Sequence, residues 1–449
     1  MPLGRREFLT VGGLAAVVAL AGCSTRQGGT PTRQDTTTGT DTGGVVTPGT
    51  DTSIDGIAEL RGTGTRRAPA DTTQAGARLT PFALDLFRAA APDTGNAVIS
   101  PYSVLAALGM TQYGARGAAA TAMAKALGGD ADTVAGALGA VDAAVAAAVA
   151  AGTINSSGAE VQTAVDAANS LFAQTGMSIE QRFLDQLSQG YAAALRTCDF
   201  AADPEKCRAA INSWVADRTH DLIEQLLPAQ AIDSRTRLVL VNALYLSAPW
   251  DTEFHRRSPA DFDAPSGTVS VPYVGLTDDF AYSTGGGWQA VRVPYAGRGL
   301  AMTVLLPDRG RFDEVTAAMD ATTMAGTVGV SAKVALTLPP FSATTATALV
   351  DALTAMGLGP LFGGDLTGVT GKVGDVTVRD VLHQAKIDVD EHGTKAAAAT
   401  AVIAPAGAAP GGDEPDPIPF VADRPFLYWI ADTVTGFPLF LGRVTDPST

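Results

Sequence analysis

Four histidines, His220, His255, His383 and His392, and three cysteines, Cys23, Cys198 and Cys207, are the only side chains of their kinds in this chain of 449 residues. None stands in a spacing that makes a reaction centre. The chain has no Gly-x-Ser-x-Gly elbow for a nucleophilic serine, no His-Glu-x-x-His pair for zinc, no Cys-x-x-Cys and no phosphate-binding loop. No enzymatic activity, cofactor or metal is therefore expected. What chemistry the chain offers lies in its backbone over residues 390–412. That stretch reads Asp390-Glu391-His392-Gly393-Thr394-Lys395, then Ala396, Ala397, Ala398, Ala399 and Thr400, and it carries no charge from Ala396 to Gly412. Small side chains bury too little apolar area to fix a segment in one place, yet they meet little steric opposition in a sheet. With Thr394 inward, the period of two sends Ala396, Ala398 and Thr400 to the same face and leaves Lys395 in solvent. Such a segment is built to lie outside the body in one state and inside a sheet in another.

The elements around it are legible from pattern. Residues 381–389, just before the stretch, alternate as a strand does. Residues 237–246 give the longest strand signal, and their continuous apolar character requires cover on both faces. Further strands are expected at 169–173, 290–294, 301–306 and 333–338, and helices at 79–91, 131–151, 204–227 and 346–356. Ser100 and Ser103 flank the start of a helix that Pro101 opens, where their hydroxyls can cap it. His383 reads as a buried histidine satisfied by its neighbours.

The formal charge is −15 and the pI about 4.6, which argues against nucleic acid and anionic membrane surfaces as partners. Residues 1–22 read as an export signal: Arg5-Arg6-Glu7-Phe8-Leu9 resembles a twin-arginine motif, and the apolar run 11–21 is too short to span a bilayer. Leu20-Ala21-Gly22-Cys23 resembles a lipoprotein cleavage box, which would leave Cys23 at the new N-terminus as the site of a lipid anchor. Residues 23–74, rich in Thr, Gly, Asp and Pro, are expected to be a disordered tether. Residues 75–449 are expected to form the globular domain. Export would put Cys198 and Cys207 in oxidising surroundings. Bridged, they close a loop worth ~2.5–3 kcal/mol on the loop-entropy estimate; two free buried thiols are the alternative.

The hinge Glu391-His392-Gly393-Thr394 followed by Ala396 to Thr400 resembles the mobile hinge of the serpins. The strand-and-turn Asn96-Ala97-Val98-Ile99-Ser100-Pro101-Tyr102-Ser103 resembles their opening, and Asp423-Arg424-Pro425-Phe426 with Phe440-Leu441-Gly442-Arg443 resembles their C-terminal signature. The resemblance spans roughly residues 80–447. It implies an α+β fold of three β-sheets and about nine helices with an exposed reactive loop. It also implies that Ser100, Ser103, Asn242 and His383 form the polar cluster called the shutter, with Trp250 at the breach above it.

The activity implied is inhibition of serine proteases by a suicide-substrate trap. The protease cuts the loop and is held as an acyl-enzyme while the hinge side inserts into the main sheet. The family's commonest spacing puts the cut between Gly407 and Ala408. Pro405, which has no N–H to donate to a bound protease, favours the bond one residue earlier, between Ala406 and Gly407. Either choice points to an elastase-like or subtilisin-like target that prefers small residues, met by a monomer. A non-inhibitory serpin, acting in binding, storage or as a chaperone-like surface protein, is the alternative; the small hinge favours the inhibitor.

Overall fold

The computed structural model describes residues 57–394 and 416–449. Cys23, the loop residues Ala396, Ala397, Ala398, Ala399 and Thr400, and the bond candidates Ala406, Gly407 and Ala408 lie outside the described residues.

A seven-stranded sheet organises the molecule. Its order is Ala58–Leu60, Leu195–Cys198, Ala164–Gln174, Leu238–Pro249, Gly393–Thr394, Val381–Val389 and Phe341–Ala348. The strand Leu238–Pro249 shows why its sequence is apolar at most positions. Leu238, Leu240, Leu244 and Leu246 point into the main core behind the sheet. Val239, Val241 and Ala243 point the other way, into a second core in front. Alternation sends every side chain into one apolar layer or the other, so no position can be polar without a specific partner.

Behind the sheet the helix Pro101–Gln112 is buried along its whole length. Ser100 accepts a hydrogen bond from the Ser103 amide at 3.3 Å, and Pro101 occupies the first helical turn, where a missing N–H costs nothing. In front, the helix Pro204–Arg218 covers the sheet through Ile211, Trp214 and Val215. Cys198 and Cys207 form a disulfide that ties the end of a strand near the sheet's edge to the start of this covering helix.

The other strands form a nine-stranded sheet. Among the described residues there are thus two hydrogen-bonded sheets where three were expected. The 19-residue strand Gly267–Gly285 pairs along its length with His255–Ala264, Val330–Leu338 and Trp288–Pro294, and joins two layers into one ladder. Ten α-helical segments among the described residues, two of four residues each, match the expected complement of about nine.

Among the boundaries that differ from expectation, three change what a segment is. The helix read over 204–227 stops at Arg218, because His220 and Asp221 take left-handed φ values of 49° and 59°. The helix read over 346–356 begins at Val350; Ala346 belongs to the threonine-rich strand Phe341–Ala348, which pairs with Val381–Val389. The tether read over 23–74 is folded from residue 57 onward, and the first helix runs Thr72–Ala90. Backbone pairing and ion pairs order this segment, and a composition poor in apolar residues does not reveal them.

Candidate functional site

The strands Leu238–Pro249 and Val381–Val389 run parallel but pair directly only at one end, through Val381 with Leu240, Leu382 with Val241, and His383 with Asn242. At the other end Gly393 and Thr394 stand between them. Thr394 lies opposite Ala248 on one side and Val389 on the other, antiparallel to both. A strand has begun there, and it points down the seam towards the shutter.

Gly393 makes this start possible. Its φ is 155°, and a Cβ there would meet the Ala248 carbonyl oxygen at 2.2 Å, so no other residue fits that approach. Thr394 is 1% exposed, and its hydroxyl lies 2.5 Å from the Tyr295 hydroxyl. Burial raises the Tyr295 phenol well above its ordinary pKa, which keeps it protonated beneath the hinge.

Trp250 closes the top of the seam. Its ring stacks on Tyr295 at 4.5 Å and 4° between planes, and its indole N–H donates to the Asp390 carbonyl at 2.9 Å. The Trp250 amide donates to the His392 carbonyl at 2.9 Å, and the Phe254 amide to the Glu391 carbonyl at 3.0 Å. Outside, Arg256 donates to the Glu391 carboxylate at 2.6 Å, and Glu253 pairs with His392. Burial works to raise the Glu391 pKa, but a backbone hydrogen bond and the Arg256 guanidinium outweigh it and hold the carboxyl below its ordinary range. Tyr295, Glu253 and Arg256 had no signal in the sequence. They lie far from the hinge along the chain and carry no motif.

The shutter assembles from the four predicted residues. The Ser100 amide donates to His383 Nε2 at 3.1 Å, so Nε2 carries no proton. His383 Nδ1 then donates to Asn242 Oδ1 at 2.7 Å. The Ser103 hydroxyl donates to the same oxygen at 3.3 Å, and Asn242 Nδ2 donates to the Leu382 carbonyl at 3.1 Å. Every one of these side chains is buried. Complete burial lowers the His383 pKa to about 3, so the ring is neutral and the cluster holds one fixed tautomer.

The chain matches known proteins over the same region. The family model for "Serpin (serine protease inhibitor)" matches residues 77–447. An uncharacterized serpin-like protein of Thermococcus kodakarensis is 32% identical over 372 residues, covering 82% of this chain and 84% of the relative. The leukocyte elastase inhibitor of Bos taurus is 33% identical over 396 residues, covering 83% of this chain and all of the relative. Among solved structures, the native-state crystal structure of the thermophilic serpin tengpin has a TM-score of 0.75 at 23% identity, covering 87% of this chain and 99% of that one, a likeness of fold. A begun strand over a four-residue polar shutter, inside a match that takes in nearly all of the described residues, has one reading: the chain belongs to the serpin (serine protease inhibitor) family.

Proposed function

We propose that this chain inhibits serine proteases by inserting its reactive loop into the seven-stranded sheet after the loop is cut. The observation that carries this reading is the register of Gly393 and Thr394. Continued antiparallel to both flanks, the strand would set Ala396 between Leu246 and Ile387, Ala398 between Leu244 and Ala385, and Thr400 between Asn242 and His383. Residues 395–399 can therefore extend the strand before the pair Asn242–His383 has to part. The inward positions 396, 398 and 400 are alanine or threonine, small enough for the core, and Lys395 would face outward. Each added pair of backbone hydrogen bonds stabilises the inserted form by about 1 kcal/mol per bond, and insertion of ten or so residues is strongly downhill. The native form is then held by a barrier rather than by equilibrium.

The target is a protease of elastase-like or subtilisin-like preference. No Lys or Arg occurs between Lys395 and Arg424, and Ala404-Pro405-Ala406 presents small residues around a proline. The cut falls between Ala406 and Gly407, or one bond later. The chain works as a monomer held at the outer face of a membrane by a lipid on Cys23.

Incubation with elastase-like, subtilisin-like and trypsin-like proteases tests this. A covalent adduct on a denaturing gel is expected with the first two, and N-terminal sequencing of the released fragment fixes the bond. Two fragments and no adduct would mean a substrate. An adduct with the trypsin-like enzyme alone would overturn the specificity.

A further inference from the structure

The family match begins at residue 77, yet the fifteen residues 57–71 ahead of the first helix are built into the body. Ile57 packs against the front core. Residues Ala58–Leu60 pair with the strand Leu195–Cys198 at the edge of the sheet. Glu59 accepts a hydrogen bond from Arg196 at 2.5 Å. Arg196 is itself buried, donates to the Ser170 hydroxyl at 2.9 Å, and lies 4.7 Å over the ring of Trp214 on the covering helix.

The segment then turns behind the sheet. A Cβ on Gly62 would meet the Leu184 carbonyl oxygen at 2.1 Å, and its amide donates to the Ser188 hydroxyl at 3.1 Å. The Thr63 amide donates to Asp185 at 2.7 Å. Arg66 pairs with Asp142 and Arg67 with Asp132, both on the helix Ala131–Ala151. Each of those carboxylates also accepts from a tyrosine, Asp142 from Tyr102 at 2.6 Å and Asp132 from Tyr113 at 2.9 Å. Asp142 is 8% exposed in the middle of a helix whose polar residues otherwise lie in its first turn. A carboxylate so placed needs a cation beside it, and the segment supplies one.

The geometry couples this segment to the seam. The front core covers Val241 and, at its margin, Leu382. Those two residues are paired directly beside Asn242 and His383. Parting that pair requires the cover to shift. The segment joins the cover, through Ile57 and Glu59, to the helices behind the sheet, through Arg66 and Arg67, and on the way its residues Ala58–Leu60 form the edge strand of the sheet.

We propose that residues 57–71 are a strap that sets the rate at which the main sheet opens. The proposal rests on the insertion reading above. With the strap seated, front cover and rear helices move only together, and the intact loop stays out. With it released, the cover can shift alone and the uncut loop inserts, which converts the protein into a more stable, inactive form.

The test uses full-length protein and needs no protease. Wild type, Glu59→Gln, the double variant Arg66→Gln with Arg67→Gln, and the charge swap Arg67→Asp with Asp132→Arg are incubated below their melting temperatures. Conversion to a heat-resistant form is followed by circular dichroism. The double variant should convert about tenfold faster than wild type, the rate equivalent of ~1.4 kcal/mol in the barrier. Glu59→Gln should also be faster, and the charge swap should convert at close to the wild-type rate. Equal rates in wild type and the double variant overturn the strap, as does conversion in neither, or a double variant that unfolds instead of gaining heat resistance. Failure to form an adduct with any protease, with the conversion rates as expected, overturns the trapping reading and leaves the strap standing.

Discussion

Thr394 and Tyr295 meet hydroxyl to hydroxyl at 2.5 Å, and both are buried beneath the top of the main sheet. On the proposed insertion mechanism, the first inward residue of the hinge is therefore already docked in the uncut protein. Its partner Tyr295 is the ring that stacks on Trp250, and on the insertion reading Thr394 sets the register that later residues would follow. A bulky or charged residue at 394 would damage the native hinge as well as insertion, so the step is better probed one inward position further on.

Ala396→Arg should leave the native fold intact and block insertion. Insertion continued in the register of Thr394 would put this side chain on the buried face between Leu246 and Ile387, both in the main core. An unpaired guanidinium there costs several kcal/mol, and insertion should slow until deacylation overtakes it. The number of inhibitor molecules consumed per protease trapped should rise steeply, with cleaved inhibitor replacing adduct on the gel. An unchanged ratio would exclude a buried position for residue 396.

Acid should loosen the shutter through His383. The buried ring has its pKa lowered to about 3, against 6.5 for a solvated one. Above pH 6.5 neither the closed nor the opened state binds a proton, and no cost arises. Between pH 6.5 and about 3 the opened state takes up a proton that the closed state cannot, so the closed state loses up to about 1.4 kcal/mol per pH unit. Conversion of intact protein to the heat-resistant form should accelerate from pH 6.5 to pH 5. In His383→Asn that share of the acceleration should vanish; an unaltered pH profile would assign it to other groups.

Reduction should act on the covering helix. The Cys198–Cys207 bridge fastens the start of that helix to the strand Leu195–Cys198. Cys207→Ser should lower stability by ~2.5–3 kcal/mol on the loop-entropy estimate, read as a lower urea midpoint with an unchanged slope. The same midpoint in wild type with and without a reductant would show that the bridge contributes nothing.

Cys23→Ser should move the protein from the membrane fraction to the soluble fraction if the Leu20-Ala21-Gly22-Cys23 box is processed. Fractionation followed by immunoblotting reads the outcome. A variant that stays with the membrane would place the anchor elsewhere.

Much of this protein was determined by sequence alone, because the relevant physics is local. The small, uncharged run after Gly393, the apolar strand ending at Pro249 and the serine cap before Pro101 are each set by neighbours a few residues apart. The residues Ser100, Ser103, Asn242 and His383 were carried by motifs around each of them, and the fold brings their side chains into one hydrogen-bonded cluster. The cysteines left two possibilities open, and only the 5.9 Å between the two Cα atoms, with the bridge formed, decided between them. Tertiary structure alone decided what lies under and around the hinge. Tyr295 is about a hundred residues from Thr394, and nothing near it in the chain says it will sit there. The segment 57–71 is the clearest case. By composition it cannot bury enough apolar area to order itself, so the sequence reads as tether. It is ordered by charges on distant elements: Arg196 and Asp142, whose own burial demands a partner, and the exposed Asp132. That demand exists only once the sheet and helices are packed, and no local pattern encodes it.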